Sequence, residues 1–255
     1  MMDGFTNKVE LINEVVKKTS KKLTSVYLNK QNEFVFLKEL TKIDSPIFVK
    51  PIDFSFENEI MTSTFPFLKS YKDISHFKID KNIVELVSDG IKSIREVEIK
   101  NLELFNHLNY LQWFINHIKE PLFPIDLDLN IFVELDELEY ILSHNDLVPG
   151  NILFNGLDDI KLIDYDFVSY NNIYFDVASF ICETLNDDED LIKYFINISI
   201  KKGLIKEKRI LNLEIKYQDI LWSLWANYMF EVTGDKIFQS ICFDKKERLN
   251  NRLVY

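Results

Sequence analysis

The chain has 255 residues, of which 47% are hydrophobic and 28% are charged, so it is expected to bury a sizeable core. Its formal net charge of −11 disfavours nucleic acid and anionic membranes as partners, because both carry negative charge. Two cysteines and four histidines without metal-ligand spacing predict neither a disulfide framework nor a structural zinc site. No signal-peptide pattern and no apolar run of the ~18–20 residues that cross a bilayer are present, so a soluble cytoplasmic protein without membrane insertion is expected.

The first third of the chain is predicted to be rich in strands, because its β-prone segments are short and polar turns separate them. One stretch has apolar residues at helical spacing instead. The predicted elements are strands at residues 9–16 and 23–28 joined by a turn at residues 17–22, a helix at residues 32–40, and strands at residues 47–56 and 59–68 joined by a turn at Glu57-Asn58.

The rest of the chain is predicted to be mostly helical from about residue 82. A long amphipathic helix is predicted at residues 101–119, and the chain is helical again after Asp176. Between them, residues 152–154 and 160–163 flank Asn155-Gly156, which is a hairpin signal. The order predicts an α+β fold with two lobes. The small β-rich lobe comprises residues 1–68 and the larger helical lobe residues 69–255.

The strongest chemical signal lies at residues 143–151. His144, Asp146 and Asn151 have the H-x-D-x4-N spacing of a kinase catalytic loop, and Asp164 follows thirteen residues later, after a short strand. A carboxylate beside an acceptor hydroxyl can orient it and take its proton, a role that we assign to Asp146. Asn151 and Asp164 supply the oxygen ligands that Mg²⁺ prefers. These residues predict phosphoryl transfer; the alternative is that Asp146 and Asn151 only cap a turn.

Residues 144–153, together with residues 163–166 and 175–178, resemble the choline/ethanolamine kinases, and among them the shorter bacterial choline kinases. The resemblance implies a protein kinase-like bilobal fold, which is shared with the aminoglycoside phosphotransferases. It also implies transfer of the γ-phosphate of ATP, with Mg²⁺, to the hydroxyl of a small amino alcohol, with choline ahead of ethanolamine. For Asp176 it implies a mainly structural role.

Two tryptophans near the C-terminal end, Trp222 and Trp225, are spaced i and i+3 and share one face of a helix. Choline kinases resemble this segment and surround the trimethylammonium group there with aromatic side chains. An aromatic face attracts such a cation by ~0.5–2 kcal/mol. The alternative is that the pair packs in the core. The side chains predicted to complete the cage are Tyr165, Tyr170, Tyr174, Tyr228 and Glu183, and Asp166 or Glu183 is predicted to supply long-range negative charge to this substrate site.

The nucleotide-binding half has weaker signals. Thr6 and Asn7 resemble the G-x-T-N segment that stands in choline kinases for the glycine-rich loop over the phosphates. A basic residue of the next strand is expected to reach the α- and β-phosphates. Lys17 is predicted for this role and Lys18 is the alternative, because a shift of one residue exchanges the faces of a strand. The third possibility is that both are solvated turn lysines.

Two more features belong to the nucleotide site. Glu33 resembles the helix glutamate that pairs with the phosphate-binding lysine. The connection between the lobes, where backbone groups would meet adenine, is predicted near Phe65 and Phe67. Two other functions stay open: the same fold acting on an aminoglycoside or another hydroxylated acceptor, and a binding module without catalysis. The sequence does not predict the oligomeric state.

Overall fold

The computed structural model describes residues 4–125, 127–185 and 188–255. A four-stranded antiparallel sheet with one helix precedes a larger, mostly helical part, which confirms the predicted α+β class. The strands are β1 (Asn7–Ile12), β2 (Val15–Ser20), β3 (Asp53–Glu57), β4 (Ile60–Pro66), β5 (Lys72–Asp73), β6 (Tyr140–Ser143), β7 (Ile152–Phe154), β8 (Ile160–Leu162) and β9 (Ser169–Asn172). The helices are α1 (Lys30–Leu40), α2 (Lys81–Arg95), α3 (His107–His117), α4 (Val133–Asp136), α5 (Phe175–Ser179), α6 (Glu189–Lys201), α7 (Lys208–Thr233) and α8 (Lys236–Asn251).

Two tight turns build the first sheet, whose strand order is β1-β2-β4-β3. Asn13 and Glu14 join β1 to β2, and Asn58 and Glu59 join β3 to β4; all four residues have positive φ. Two-residue loops of this conformation match the right-handed twist of paired strands. The first turn lies inside the predicted strand at residues 9–16, so that prediction was wrong.

The predicted turn at residues 17–22 instead forms most of β2, whose inner face is polar. Lys18 and Ser20 are buried, and the Ser20 hydroxyl accepts a hydrogen bond from the backbone N–H of Met61 at 2.9 Å. Such a strand lacks the apolar alternation on which the prediction relied. The predicted strand at residues 23–28 is absent from the described structure, and the one at residues 47–56 begins only at Asp53.

The helix α1 was predicted almost correctly and begins where Asn29 accepts a hydrogen bond from Asn32 N at 3.0 Å. By contrast, the helix predicted at residues 101–119 begins only at His107. Before it, the chain runs beside β9, since Phe105 N donates to Tyr170 O at 2.7 Å and Tyr170 N donates to Glu103 O at 3.2 Å. These tertiary hydrogen bonds outweigh the local helical pattern.

The β7–β8 hairpin and the helices after Asp176 are confirmed. The longest helix, α7, has buried residues over most of its length and packs against α8 after a turn at Gly234, whose φ of 70° is left-handed. One hydrophobic core runs from α1 through α2 and α7 to Phe238 of α8. None of the described helices is both long and apolar enough to cross a bilayer. The boundary between lobes at residue 68 stays a prediction.

Candidate active site

The loop after β6 carries the predicted catalytic residues, and Asp176 holds its backbone. The Asp176 carboxylate accepts hydrogen bonds from His144 N at 3.0 Å and Asn145 N at 2.8 Å. Burial raises the pKa of Asp176 to about 6 although both N–H groups favour the charged form. Asn145 has a left-handed φ of 66° and donates through its side chain to Phe167 O at 2.8 Å. Asp176 and Asn145 therefore fix the shape of the loop.

His144 joins this loop to the chain before Asp164. It is fully buried, and its Nε2 lies 3.0 Å from the carbonyl oxygen of Ile163. Burial lowers the pKa of His144 to about 4, so the ring is neutral at pH 7 and Nε2 carries the proton that the carbonyl accepts. His144 has a structural position.

Asp146, Asn151 and Asp164 line one cavity of about 510 Å³, which we call the central cavity. Asn151 Nδ2 donates to Asp146 Oδ2 at 2.7 Å and to the Asp146 carbonyl at 3.0 Å. Burial, followed by the charges of Asp164 and Glu183, raises the pKa of Asp146 well above its ordinary value. A carboxylate with a raised pKa is a stronger base than a free one, which suits proton abstraction.

The same residues fit a magnesium ion. Within the described ranges, no cluster of three His, Cys, Asp or Glu side chains could hold a metal by itself. Mg²⁺ in phosphoryl-transfer sites takes one or two protein ligands and fills its shell with water and phosphate oxygens. Because the Asn151 amide nitrogen faces Asp146, its carbonyl oxygen is the atom suited to a metal. The Asp164 carboxylate is the second protein ligand that such an ion needs.

Asp164 belongs to a group of two ammonium groups and three carboxylates, which we call the ion cluster: Lys18, Lys30, Glu33, Asp164 and Asp166. Lys18 Nζ lies 2.5 Å from Asp164 Oδ1, 2.5 Å from Asp166 Oδ1 and 3.4 Å from Glu33 Oε1. Lys30 Nζ lies 2.8 Å from Asp166 Oδ1 and 3.0 Å from Glu33 Oε2.

At Lys18 and Asp166 of the ion cluster, neighbouring opposite charges together affect the pKa more than burial does. Burial alone would lower the pKa of Lys18, but Asp164, Asp166 and Glu33 raise it well above its ordinary value. Burial alone would raise the pKa of Asp166, but Lys18 and Lys30 hold it well below its usual range. Both groups are therefore charged at neutral pH.

Of the two adjacent lysines of β2, Lys18 pairs with Glu33, at 3.4 Å and beside Lys30, so the predicted pairing of Lys17 with Glu33 is wrong. Which of the two contacts the phosphates stays a prediction. In β2, Lys18 lies opposite Ser63 of β4 and is buried, whereas the neighbouring Lys17 is exposed. Successive side chains of a strand point to opposite faces. Only the tertiary position of the sheet decides which face meets Asp164.

Thr6 and Asn7, predicted to contact phosphate, both donate to Asp166 Oδ2, each at 2.7 Å. They line the central cavity at the start of β1. Asp166, predicted to face the acceptor, is instead buried in the ion cluster and is not among the residues that line this cavity. It links the N-terminal segment to α1 and to Asp164, so its predicted role as an acceptor ligand is corrected.

Aromatic rings also line the central cavity, and we call Phe167, Trp222 and Trp225, together with the Glu183 carboxylate, its aromatic wall. The Trp222 and Trp225 rings lie edge to face with centroids 6.0 Å apart, and Phe167 lies 5.5 Å from Trp222. Glu183 lines the same wall from a π-helical turn, Phe180–Thr184, a local irregularity that is common at functional sites. The structure therefore brings Trp222, Trp225 and Glu183 together with Asp146, as the sequence predicted.

Two tyrosines predicted for the cage lie elsewhere. The buried Tyr165 hydroxyl hydrogen-bonds to the backbone of Val49 and Leu162, outside the central cavity. Tyr228 comes six residues after Trp222, about 240° around the helix, and packs against Tyr27 and Trp113.

The remaining predicted residues lie outside the central cavity. Tyr170 bonds to the backbone of Ile99, and Tyr174 accepts a hydrogen bond from Glu207 N at 2.9 Å. Phe65 packs on Tyr165 near the end of β4, and Phe67 follows that strand with 42% of its surface exposed. The adenine site near these two phenylalanines stays a prediction.

Several residues of the site were not predicted from the sequence. Lys30 precedes Glu33 by three positions, which is contact spacing on a helix and could have indicated it. Phe167 directly follows Asp166, and Phe5 lies beside the predicted phosphate loop and contacts Trp225 at 6.1 Å. Lys245 of α8 also lines the cavity, but no motif surrounds it.

Three features define the protein kinase-like class of fold: the H-x-D-x4-N loop, an aspartate at the metal-binding position after a hairpin (Asp164), and the Lys18–Glu33 pair. The structural alignment with the crystal structure of choline kinase LicA from Streptococcus pneumoniae covers 96% of this chain and 89% of the LicA chain, with a TM-score of 0.74 and 19% sequence identity. A choline/ethanolamine kinase family protein from Mesorhizobium loti gives a TM-score of 0.75 at 13% identity, covering 97% of this chain and 85% of its own. These likenesses confirm the fold.

Sequence comparison identifies the family. The model of the choline/ethanolamine kinase family matches residues 66–217, more than half of the chain, and the chain belongs to this family. The probable ethanolamine kinase B of Dictyostelium discoideum is 40% identical over 70 residues, which are 27% of this chain and 15% of that protein. The matches span between 15% and 42% of the length of the curated relatives.

Proposed function

We propose that this protein is an ATP-dependent kinase that phosphorylates the hydroxyl group of a small amino alcohol, and that choline is its acceptor. The observation that carries the proposal is one cavity of about 510 Å³ that is lined both by a catalytic-loop aspartate and by the rings of Phe5, Phe167, Trp222 and Trp225. A hydroxyl and a cationic head a few atoms apart can meet both walls at once. Choline and ethanolamine both have this form.

We call Asp146, Asn151 and Asp164, with the ion cluster behind Asp164, the ionic wall, and its groups have defined tasks in the proposed reaction. Asp146 orients the acceptor hydroxyl and takes its proton as the oxygen attacks the γ-phosphate. Asn151 and Asp164 hold Mg²⁺, which when bound neutralises charge on the phosphate oxygens. Lys18 is the lysine that we assign to the α- and β-phosphates, because the ion cluster keeps it charged beside Asp164.

The aromatic wall favours choline over other acceptors. A trimethylammonium group donates no hydrogen bond, and the faces of Trp222, Trp225 and Phe167 attract it by cation–π interaction. A hydroxyl-rich aminoglycoside would need many hydrogen-bond acceptors in place of these rings. Ethanolamine is the second candidate, because the Glu183 carboxylate is a hydrogen-bond acceptor on the same wall.

A coupled assay of ATP consumption with choline, ethanolamine and an aminoglycoside tests the proposal. We expect Mg²⁺-dependent turnover with choline, and release of phosphocholine as product. Turnover with the aminoglycoside and with neither amino alcohol would refute the acceptor. Thermal stabilisation by choline and ATP without any turnover would identify a binding module without catalysis, because ligands that bind the native state raise its apparent stability.

A further inference from the structure

Lys245, in helix α8, forms an ion pair with the Glu183 carboxylate of the aromatic wall. Lys245 of α8 is only 6% exposed, and its Nζ lies 2.5 Å from Glu183 Oε1 and 3.4 Å from the carbonyl oxygen of Cys182. Both Lys245 and Glu183 line the central cavity. Lys245 lies beyond residues 66–217, the part of the chain that matches the family.

Among the described residues that line the central cavity, four carry carboxylates, and each has a partner on the protein. Asp146 accepts a hydrogen bond from the amide of Asn151 at 2.7 Å, and Asp164 pairs with Lys18 at 2.5 Å. The other two carboxylates pair with residues of α8: Glu183 with Lys245 at 2.5 Å and Asp244 with Arg248 at 2.8 Å. Basic side chains of α8 therefore compensate Glu183 and Asp244, whereas Asp146 has only a neutral amide as its partner.

This arrangement discriminates between two kinds of cationic head. A primary ammonium has three N–H donors, and burying it without acceptors costs the hydrogen bonds that it made to water. A quaternary ammonium has no such donors and needs only apolar and π-electron contacts. Lys245 neutralises Glu183 and is bonded to one of its two oxygens. The aromatic wall therefore suits a quaternary ammonium better than a primary ammonium.

We propose that Lys245 is a specificity-determining residue, which pairs with Glu183 and so directs selection to the aromatic rings and to quaternary ammonium alcohols. The inference rests on the proposed function and deepens it. Without the Lys245 ammonium, Glu183 would be an unpaired carboxylate in the cavity that takes the acceptor. A carboxylate in that position binds any cation, but it adds hydrogen bonds only for an ammonium that carries N–H groups.

The test measures kcat/KM for choline and for ethanolamine with zero, one or two N-methyl groups, in the wild type and in Lys245→Met. We expect the ratio of choline to ethanolamine to fall about tenfold in the variant, the range of one charge-assisted hydrogen bond. The change should shrink with each added methyl group. Lys236→Met is the matched control, because Lys236 is an exposed lysine at the start of the same helix. Its ratio should equal that of the wild type.

The double variant Lys245→Met, Glu183→Gln separates selectivity from structure. It removes the freed carboxylate, so its ratio should return towards the wild-type value. A merely structural role for Lys245 would lower activity towards both acceptors equally and leave the ratio unchanged in every variant, and that result would overturn the inference. If Lys245→Met fails to fold, Lys245→Gln, which keeps a donor for the Cys182 carbonyl, takes its place with the same expected direction.

Failure of the inference is distinguishable from failure of the proposed function. If the wild type phosphorylates choline and the ratio does not move in Lys245→Met, only the role of Lys245 is refuted. If the wild type phosphorylates neither amino alcohol, the proposed function itself is refuted, and the inference falls with it.

Discussion

The two walls of the central cavity are built on opposite principles. The ion cluster, which reaches the cavity through Asp164, holds five charged side chains with nitrogen–oxygen distances of 2.5–3.4 Å. On the aromatic wall, the rings of Phe167, Trp222 and Trp225 have neighbouring centroids 5.5–6.0 Å apart, and the ion pairs Glu183–Lys245 and Asp244–Arg248 line the same cavity. The first wall depends on mutual charge compensation, and the second on apolar surface and ring orientation.

The difference predicts different consequences of mutation. Removing one member of a buried ion cluster leaves the others without a counter-charge, which is more damaging than the loss of the pair itself. Removing one ring of several leaves the others in contact with the ligand, so the loss is partial. Variants of the ionic wall should therefore affect turnover, and variants of the aromatic wall should affect the affinity for the acceptor.

Replacement of Asp146, the proposed base of the ionic wall, has the largest expected effect. Asp146→Asn removes the base that takes the acceptor proton, so kcat should fall by roughly 10³-fold or more. Choline and ATP should still stabilise the variant against thermal unfolding. The matched control is Asp158→Asn, because Asp158 is exposed in the β7–β8 hairpin. Retention of turnover by Asp146→Asn would show that Asp146 is not the base.

The ionic wall is tested by two neighbouring lysines. Lys18→Met should lower kcat/KM for ATP by about 10²-fold, because an electrostatic contact to the developing charge is lost. Lys17→Met should stay within about twofold of the wild type, since a substitution at an exposed site has a small effect. Thermal unfolding of both variants checks that the fold survives. Equal losses in the two variants would contradict the assignment of Lys18.

The aromatic wall is tested by Trp225→Leu. The KM for choline should rise about tenfold, within the range of one cation–π contact, while kcat and the KM for ATP change little. Trp113→Leu is the control, because Trp113 does not line the central cavity. A fall in kcat without a change in the KM for choline would place Trp225 in the chemical step and erase the contrast between the walls.

The smallest expected effect is the electrostatic influence of Glu183, on the aromatic wall, on the pKa of Asp146. Asp146 must be ionised to act as a base, so kcat/KM should be highest above its raised pKa and fall as pH falls through it. Because the charge of Glu183 helps to raise this pKa, Glu183→Gln should move the acid limb to lower pH, by a fraction of a unit. The exposed Glu59→Gln should leave it in place. A shift to higher pH in Glu183→Gln would contradict the proposed coupling.

The catalytic part of the site was predictable because its information is local. The residues from His144 to Asp164 form a segment of 21 residues, and the hairpin of β7 and β8 brings its two ends together. The tryptophan pair was predictable for the same reason, since two residues three apart share a helix face. In both cases, spacing along the chain determines spacing in the structure.

The amino-acid sequence predicted the fold class and the family, and it singled out Asp146, Asn151, Asp164, Trp222 and Trp225 as candidate site residues. The tertiary structure decided which of two adjacent lysines meets Glu33, that Asp166 is a buried counter-ion, and that Tyr165 and Tyr228 lie away from the central cavity. It also brought Lys245 to Glu183, from 62 positions along the chain. The physical reason is that contacts between distant segments depend on how sheets and helices pack, and a shift of one residue in a strand reverses which side chains are buried.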